Sequence, residues 1–272
     1  MRKWITAAWL LLISMGMLPV SCRAEELTQI DTSFPVQPGI RIAVVSKNTK
    51  GQFWDLLKAG MQDALTAVNT AYGFEKGDQV SMTFEGPDDE QKVEDQINII
   101  DAVLDENPDV LCLCVSDSNS CTAQIEMAVE NGIPVVVFDS NVSDRELVAA
   151  FRGTDNVRVG ELAADQLAEA IEEKGKVAVF SVQNKTESAQ ARLQGFSDKM
   201  EEYPEIEIVA AIGQDEVENM AEAMQEILEQ TADLEGVFCS NADMAELYLS
   251  LDAQLREGIE MVGVDATGFR HM

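Results

Sequence analysis

Several polar and aromatic residues stand directly after short apolar runs, where a chain leaving a buried strand meets solvent. Residues 47–54 follow the first such run, with Lys47 and Lys50 ahead of the adjacent aromatics Phe53 and Trp54. Ser116 and Asp117 follow a later run, and Asp139 and Ser140 the next. Further on come residues 183–192, from Gln183 to Arg192, then Gln214 and Asp215, then Asn241, then Asp265. Aromatics with carboxylates, amides and one arginine suit a polyhydroxylated ligand. Aromatic faces cover the C–H face of a sugar, while Asp and Arg make charge-assisted hydrogen bonds to hydroxyls and Asn makes neutral ones. Each residue also has an ordinary structural reading: Phe53 and Trp54 as the core side of an amphipathic helix, strand-end aspartates as helix caps, Arg192 as a solvated charge.

Other chemistries lack their residues. The chain of 272 residues has one histidine, His271, next to the last position, so Ser-His-Asp or Cys-His catalysis and multi-histidine metal sites are not expected. No G-x-G-x-x-G follows the first apolar run and there is no Walker motif, so neither a nucleotide nor any other cofactor is expected. With 19 Lys+Arg against 49 Asp+Glu the formal net charge is −30, which repels phosphate backbones and speaks against nucleic acid as a partner. The Glu-rich stretches, such as residues 216–229, read as solvated helix faces. Cys112 and Cys114 stand two apart in an apolar run, which puts their Cα atoms about 6.6 Å apart with parallel side chains; that disfavours a disulfide. They, Cys121 and Cys239 read as small buried hydrophobes.

The elements that must position the polar residues follow from periodicity. Strands are expected at 40–46, 80–84, 110–115, 135–138 and 147–151. Helices are expected from Phe53 to Val68, with Phe53, Leu56, Leu57, Met61, Ala64, Leu65 and Val68 recurring on one face, then after an Asp88 cap with Val93, Ile97, Ile100, Val103 and Leu104 inward, and at 120–131. The cycle restarts near Gly153-Thr154, with helices at 156–173, 187–202, 216–230 and 243–256 and strands at 176–181, 206–212, 236–239 and 261–264. Strict alternation implies parallel sheets covered on both faces. The fold class is therefore α/β, with two Rossmann-like lobes of parallel strands, about 40–152 and 153–272, and a hinge cleft between them. Ligands of such sheets bind beyond the carboxyl ends of the strands.

The first residues read as a targeting segment. Arg2 and Lys3 precede an apolar, uncharged stretch at 4–18, then small residues and the acidic pair Glu25 and Glu26, the layout of a secretory signal peptide over 1–24. Leu18-Pro19-Val20-Ser21-Cys22 is similar to a bacterial lipobox, with a leader of 1–21 and Cys22 as the lipidated residue; Cys22-Arg23-Ala24 offers ordinary cleavage after Ala24 instead. The lipid anchor is the preferred reading, with residues 25–39 as a tether.

Taken together these segments resemble the type I periplasmic sugar-binding proteins, the ribose-binding-protein-like receptors of ABC importers. The resemblance runs from about Ile40 to Asp265. It rests on Ile42-Ala43-Val44-Val45-Ser46 followed by Phe53-Trp54 and Lys58-Ala59-Gly60, and on Gly132-Ile133-Pro134-Val135-Val136-Val137-Phe138-Asp139. Thr154-Asp155-Asn156 with Gly160, Arg192-Leu193-Gln194-Gly195-Phe196, Val237-Phe238-Cys239-Ser240-Asn241 and Val262-Gly263-Val264-Asp265 complete it. The resemblance implies a non-enzymatic receptor that closes on a sugar or related polyol and delivers it to an ABC permease. It casts Phe53 and Trp54 as stacking aromatics, Asp139, Arg192, Asn241 and Asp265 as hydroxyl-binding groups, and Thr154-Asp155-Asn156 as an interlobe crossing. A second reading keeps the fold but makes the protein a sensor partnering a membrane histidine kinase or chemoreceptor, with a furanone-like ligand. An enzyme, or a cytoplasmic regulator of the same fold, is disfavoured by the missing catalytic groups and by the signal peptide with no helix-turn-helix.

Three departures stand out. The family often has arginine where Ser140 follows Asp139. The loop before Phe53 is a residue longer and carries Lys47 and Lys50. Glu216 and Val217 stand where an aromatic is usual. The chain also stops at Met272, short of the expected final strand, so the C-terminal lobe is read as incomplete, from a fragment or a truncated product. An open, aggregation-prone sheet edge and weak or absent ligand affinity are expected to follow.

Overall fold

The computed structural model describes residues 30–182 and 185–265. The targeting segment with Cys22, the first five residues of the tether, Gln183 and His271 lie outside those residues. Within them, the apolar runs become two all-parallel sheets. The first lobe holds β1 (Arg41–Val45), β2 (Ser81–Glu85), β3 (Val110–Leu113), β4 (Val135–Phe138) and β5 (Ala150–Arg152), ordered β2-β1-β3-β4-β5. Its helices are α1 (Gln52–Tyr72), α2 (Val93–Asp105) and α3 (Thr122–Glu130). The second sheet holds β6 (Gly175–Ser181), β7 (Ile206–Gly213), β8 (Leu234–Cys239) and β9 (Glu260–Gly263), ordered β7-β6-β8-β9. Around it lie α4 (Asn156–Ala170), α5 (Glu187–Met200), α6 (Met220–Gln230) and α7 (Ala242–Ser250). Residues 153–155 carry the chain from one sheet to the other.

Coverage of the first sheet is uneven. On one face Ala43, Val45, Leu111, Leu113, Val135 and Val137 pack against Ile100, Val103 and Leu104 of α2 and Ile125 and Ala128 of α3, all buried. The opposite face meets α1, and there Ile42, Met82, Phe84 and Cys112 are only partly covered. The apolar row expected on α1 is shifted: Trp54 is its one buried residue, Leu57 and Met61 pack partly, and Leu56 is exposed. The alternating hydropathy of β2 fits an edge strand rather than a doubly buried one.

Some boundaries differ from expectation for local reasons. Asp88 does not cap α2; its carboxylate ion-pairs with Lys50 at 2.8 Å and Lys92 at 2.6 Å, and Lys92 holds the cap position. Helix α6 starts only at Met220, because the Asn219 side chain accepts from the amides of Ala221 and Glu222. Helix α7 ends at Ser250, where Leu251 turns extended and Asp252 accepts from the Gln254 amide.

In the second lobe Phe196 of α5 and Phe238 of β8 stack at 4.2 Å between ring centroids. Helices α4 and α5 cross backbone to backbone through two glycines. A Cβ on Gly160 would lie 2.0 Å from the Arg192 carbonyl oxygen, and one on Gly195 2.1 Å from that of Val157. Neither glycine has a positive φ, so close approach is what requires them. The crossing fixes where the first turns of α5, and Arg192 with them, stand. Gly195→Ala is expected to destabilise the protein by about 1–3 kcal/mol through overpacking, read from its denaturant midpoint. An unchanged midpoint would show that the helices separate freely.

Candidate functional site

All six residues singled out from the strand ends line one cleft between the lobes: Phe53, Trp54, Asp139, Arg192, Asn241 and Asp265. Lys47, Glu90, Ser188 and Asp243 join them there. Because every strand is parallel, the carboxyl ends of each sheet pool their loops on one side. The walls accordingly come from segments just after β1, β4, β6, β8 and β9. Ser116, Asp117, Gln214 and Asp215 do not line this cleft; Asp117 accepts from the Asn119 amide within its own turn.

The two strand-end aspartates share a backbone device. Asp139 has φ +58° and Asp265 φ +68°, the left-handed region that few side chains other than Asn and Asp adopt. Such strain gathers at functional sites because surrounding structure must hold it. Around Asp139, β5 supplies part of that hold: the Asp139 amide donates to the Arg152 carbonyl at 3.0 Å.

Lys47 dominates the electrostatics of the first lobe's wall. It is only 7% exposed. Its Nζ lies 3.0 Å from Asp139 Oδ2, 3.0 Å from Ser140 Oγ and 3.9 Å from Glu90 Oε2. Burial works against its charge, but Glu90 and Asp139 more than offset that and raise its pKa. Burial alone would push the Asp139 carboxyl up; the Lys47 ammonium holds it below its ordinary value. Burial pushes Glu90 up, with Lys47 opposing. Cys114 Sγ sits 3.5 Å from Asp139 Oδ2, and burial raises its thiol. None of Cys112, Cys114, Cys121 and Cys239 forms a disulfide.

The aromatics divide. Phe53 and Trp54 meet edge to face, 5.0 Å between centroids and 86° between planes. Trp54 is buried against Val44, Cys114 and Phe138, with the Lys47 ammonium 5.8 Å from its ring. Phe53 is 37% exposed and has the more open face in the cleft.

On the second lobe's wall Arg192 is no free surface charge. Its Nη2 donates to Asn156 Oδ1 at 2.8 Å, its Nε to the same oxygen at 3.3 Å, and its Nη1 to the Ser240 carbonyl. Burial lowers its pKa, while the charges of Asp265 and Asp139 act to raise it. Asn241 caps α7, its Oδ1 accepting from the Met244 amide at 3.1 Å, and Asp265 Oδ2 accepts from the Ala242 amide at 3.3 Å. The cap reading and the ligand reading are thus compatible. Asn241 Nδ2 and one oxygen each of Asp139 and Asp265 carry no hydrogen bond among the described residues.

Two residues escaped sequence reasoning. Gln96 is fully buried; its amide donates to the carbonyls of Ser46 (2.9 Å) and Cys114 (2.8 Å) and accepts from the Ser116 amide (2.8 Å), tying the ends of β1 and β3. Its place one turn before Ile100 on the inward row was the available signal. Ser188 Oγ meets Ser140 Oγ at 2.6 Å across the lobes; it lies within the strand-end segment 183–192, but nothing in the local pattern singles it out there. Two of the noted departures, Lys47 and Ser140, prove to be contacts of one another.

Two parallel α/β lobes enclosing a polar cleft at their strand ends define a hinged solute-binding protein. The chain belongs to the family described as periplasmic binding protein domain, whose model matches residues 42–269, and within it to the type I sugar-binding proteins. The family is one of extracytoplasmic binding proteins, not enzymes. The chain is 26% identical over 246 residues to a D-ribose/D-allose-binding protein of Pseudomonas aeruginosa, covering 88% of this chain and 74% of that one. It is 24% identical to a D-apiose import binding protein of Actinobacillus succinogenes, covering 67% of this chain and 59% of that protein's length. Among solved structures, an ABC transporter solute-binding protein of Agrobacterium vitis with bound D-fucose superposes with TM-score 0.75 at 28% identity, over 85% of this chain and 78% of that one.

The pair at Asp139 has a pH signature. Its folded pKa lies below its unfolded one, so its stabilisation is present above about pH 4 and fades as pH falls through the depressed value. Glu90, with a raised pKa, runs the opposite way, while Lys47 and Arg192 stay cationic across this range. Comparing wild type with Asp139→Asn isolates the first effect. The gap in unfolding free energy between them is expected to narrow from about pH 6 to about pH 3; a gap constant with pH would contradict the pairing.

Proposed function

We propose that the protein captures a sugar or related polyol between its lobes and presents it to an ABC permease. The carrying observation is that Asp139, Asn241 and Asp265 each spend one polar atom on the scaffold and keep another for a ligand, around the open face of Phe53. A hydroxyl both donates and accepts, so a polyol satisfies such mixed carboxylate, amide and guanidinium groups at once. The names of the Pseudomonas and Actinobacillus relatives and the D-fucose in the Agrobacterium structure support this reading. Phe53, Trp54, Asp139, Arg192, Asn241 and Asp265 form the ligand set. The lobes are 40–152 and 153–272, behind a leader and a tether at 25–39. Ligand contacts from both walls favour the closed arrangement, which the permease reads.

A thermal-shift screen of the full-length protein against pentoses, hexoses, polyols and furanones tests this. A rise of several degrees with a sugar or polyol is expected, and Arg192→Ala should weaken that ligand about tenfold or more. A response to furanones alone would favour the sensory reading; silence towards every sugar and polyol would sink the proposal.

Export with acylation at Cys22 is part of the same proposal. In cells making the full chain, Cys22→Ala should move the protein from the membrane fraction to the soluble one. Unaltered membrane association of that variant would rule the anchor out.

A further inference from the structure

The two sheets end in the edge strands β2, β5, β7 and β9 among the described residues. Open edges invite pairing, and proteins guard them with charge, proline, bulges or shortness. Strand β5 has three residues and ends on Arg152, β7 carries Glu207 and a register break beside Val209, and β9 starts on Glu260. In β2 the run Ser81-Met82-Thr83-Phe84 has neither charge nor proline, although the chain as a whole is strongly acidic.

The hydrogen bonds show which groups of β2 face outward. The Ser81 amide donates to the Ile40 carbonyl at 2.8 Å, and the Glu85 carbonyl accepts from the Ser46 amide at 2.8 Å. Odd-numbered residues therefore turn their polar backbone to β1, and Val80, Met82 and Phe84 turn theirs away. At Val80 a side chain stands in for a further strand. Asn69 Nδ2 donates to the Val80 carbonyl at 2.9 Å, and Asn69 Oδ1 accepts from the Val80 amide at 2.8 Å. Met82 and Phe84 have no such partner among the described residues. A groove opens beside them between the edge and α1, lined by Leu65, Asn69, Phe74, Val80 and Met82.

We propose that this edge pairs with the same edge of a second copy of the chain, antiparallel about Thr83. In that register Met82 lies opposite the partner's Phe84, and the two exchange amide-to-carbonyl bonds; the twofold axis repeats the exchange. The strand is thus complementary to itself. Met82 and the partner's Phe84 project to the α1 side of the sheet, where the ring meets the groove. Glu85 falls opposite the partner's Ser81, so the two Glu85 carboxylates stay about 13 Å apart along the strands, beyond the range over which salt leaves exposed charges coupled. No residue of β2 lines the cleft, so the pairing stands apart from the sugar reading.

The test is sedimentation velocity of the full chain from micromolar to submillimolar concentration. The wild-type mass should rise from one chain towards two. Thr83 is exposed, and Thr83→Lys or Thr83→Glu sets like charges against each other at the axis. Each should weaken association about tenfold or more, and an equimolar mixture of the two variants should restore it. A wild type monomeric throughout, association that neither charge weakens, or a mixture no tighter than either variant alone overturns the proposal. Hydrogen exchange of the wild type decides even where a variant does not fold. The Met82 and Phe84 amides should gain protection as concentration rises; protection independent of concentration overturns the pairing.

Discussion

A carboxylate removed from water keeps its charge only if a cation goes with it, and that constraint shapes this cleft. Asp139 stands in a left-handed strand end, with Lys47 of the loop after β1, Cys114 and Ser140 against its carboxylate. Without Lys47 it would take up a proton and lose its strength as an acceptor. With Lys47 it stays ionised at the cost of burying an ammonium, which then needs its own partners in Ser140 and Glu90. The second lobe meets a related problem differently. Arg192 is held by neutral acceptors, the Asn156 amide oxygen and the Ser240 carbonyl, so its charge is not cancelled by direct pairing. One wall carries an ion pair, the other an oriented guanidinium.

Both arrangements depend on backbone placed to within a few tenths of an ångström. Gly160 and Gly195 let α4 and α5 touch, which brings Asn156, at the start of one helix, against Arg192 on the other. Gln96 links the ends of β1 and β3, so Ser46, just ahead of Lys47, cannot drift from Cys114. The two left-handed aspartates end corresponding runs in the two sheets, so the same strained turn aims a carboxylate into the cleft from either side. A scaffold that over-determines its strand ends in this way can carry strain where a ligand is to bind.

Much of this was legible in the residue order, because parallel α/β architecture writes itself as alternating periodicity and its binding residues must follow strands. Asp139, Asn241 and Asp265 could be picked out for that reason. The rest depended on distances that no local window holds. Ser140 and Ser188 are 48 residues apart and Lys47 and Ser140 are 93 apart, so two departures from the family pattern that looked separate could not be read as a single contact. The inward row of α1 failed for another reason. Helical spacing marks the apolar side of a helix but not how much protein lies opposite it, and opposite α1 the sheet face is only partly covered. Asp88 looked like a cap because it precedes an amphipathic stretch, yet two lysines outcompeted the amides for it.

The net charge of −30 bears on the ligand through the few acidic residues that reach the cleft. Glu90, Asp139, Asp243, Glu246 and Asp265 line it, against Lys47, Lys50 and Arg192. Lys50 is engaged with Asp88, and Lys47 lies between Asp139 and Glu90. The carboxyls of Glu90 and Asp243 are already raised, by burial above all, with Asp265 adding its repulsion at Asp243. A uronate or sugar phosphate entering here would add an anion to groups whose own charge is disfavoured, and closure would remove the water that screens them. A neutral polyol adds no charge and supplies the donors that carboxylates lack. The charge balance of the cleft lining therefore suits an uncharged ligand better than an anionic one.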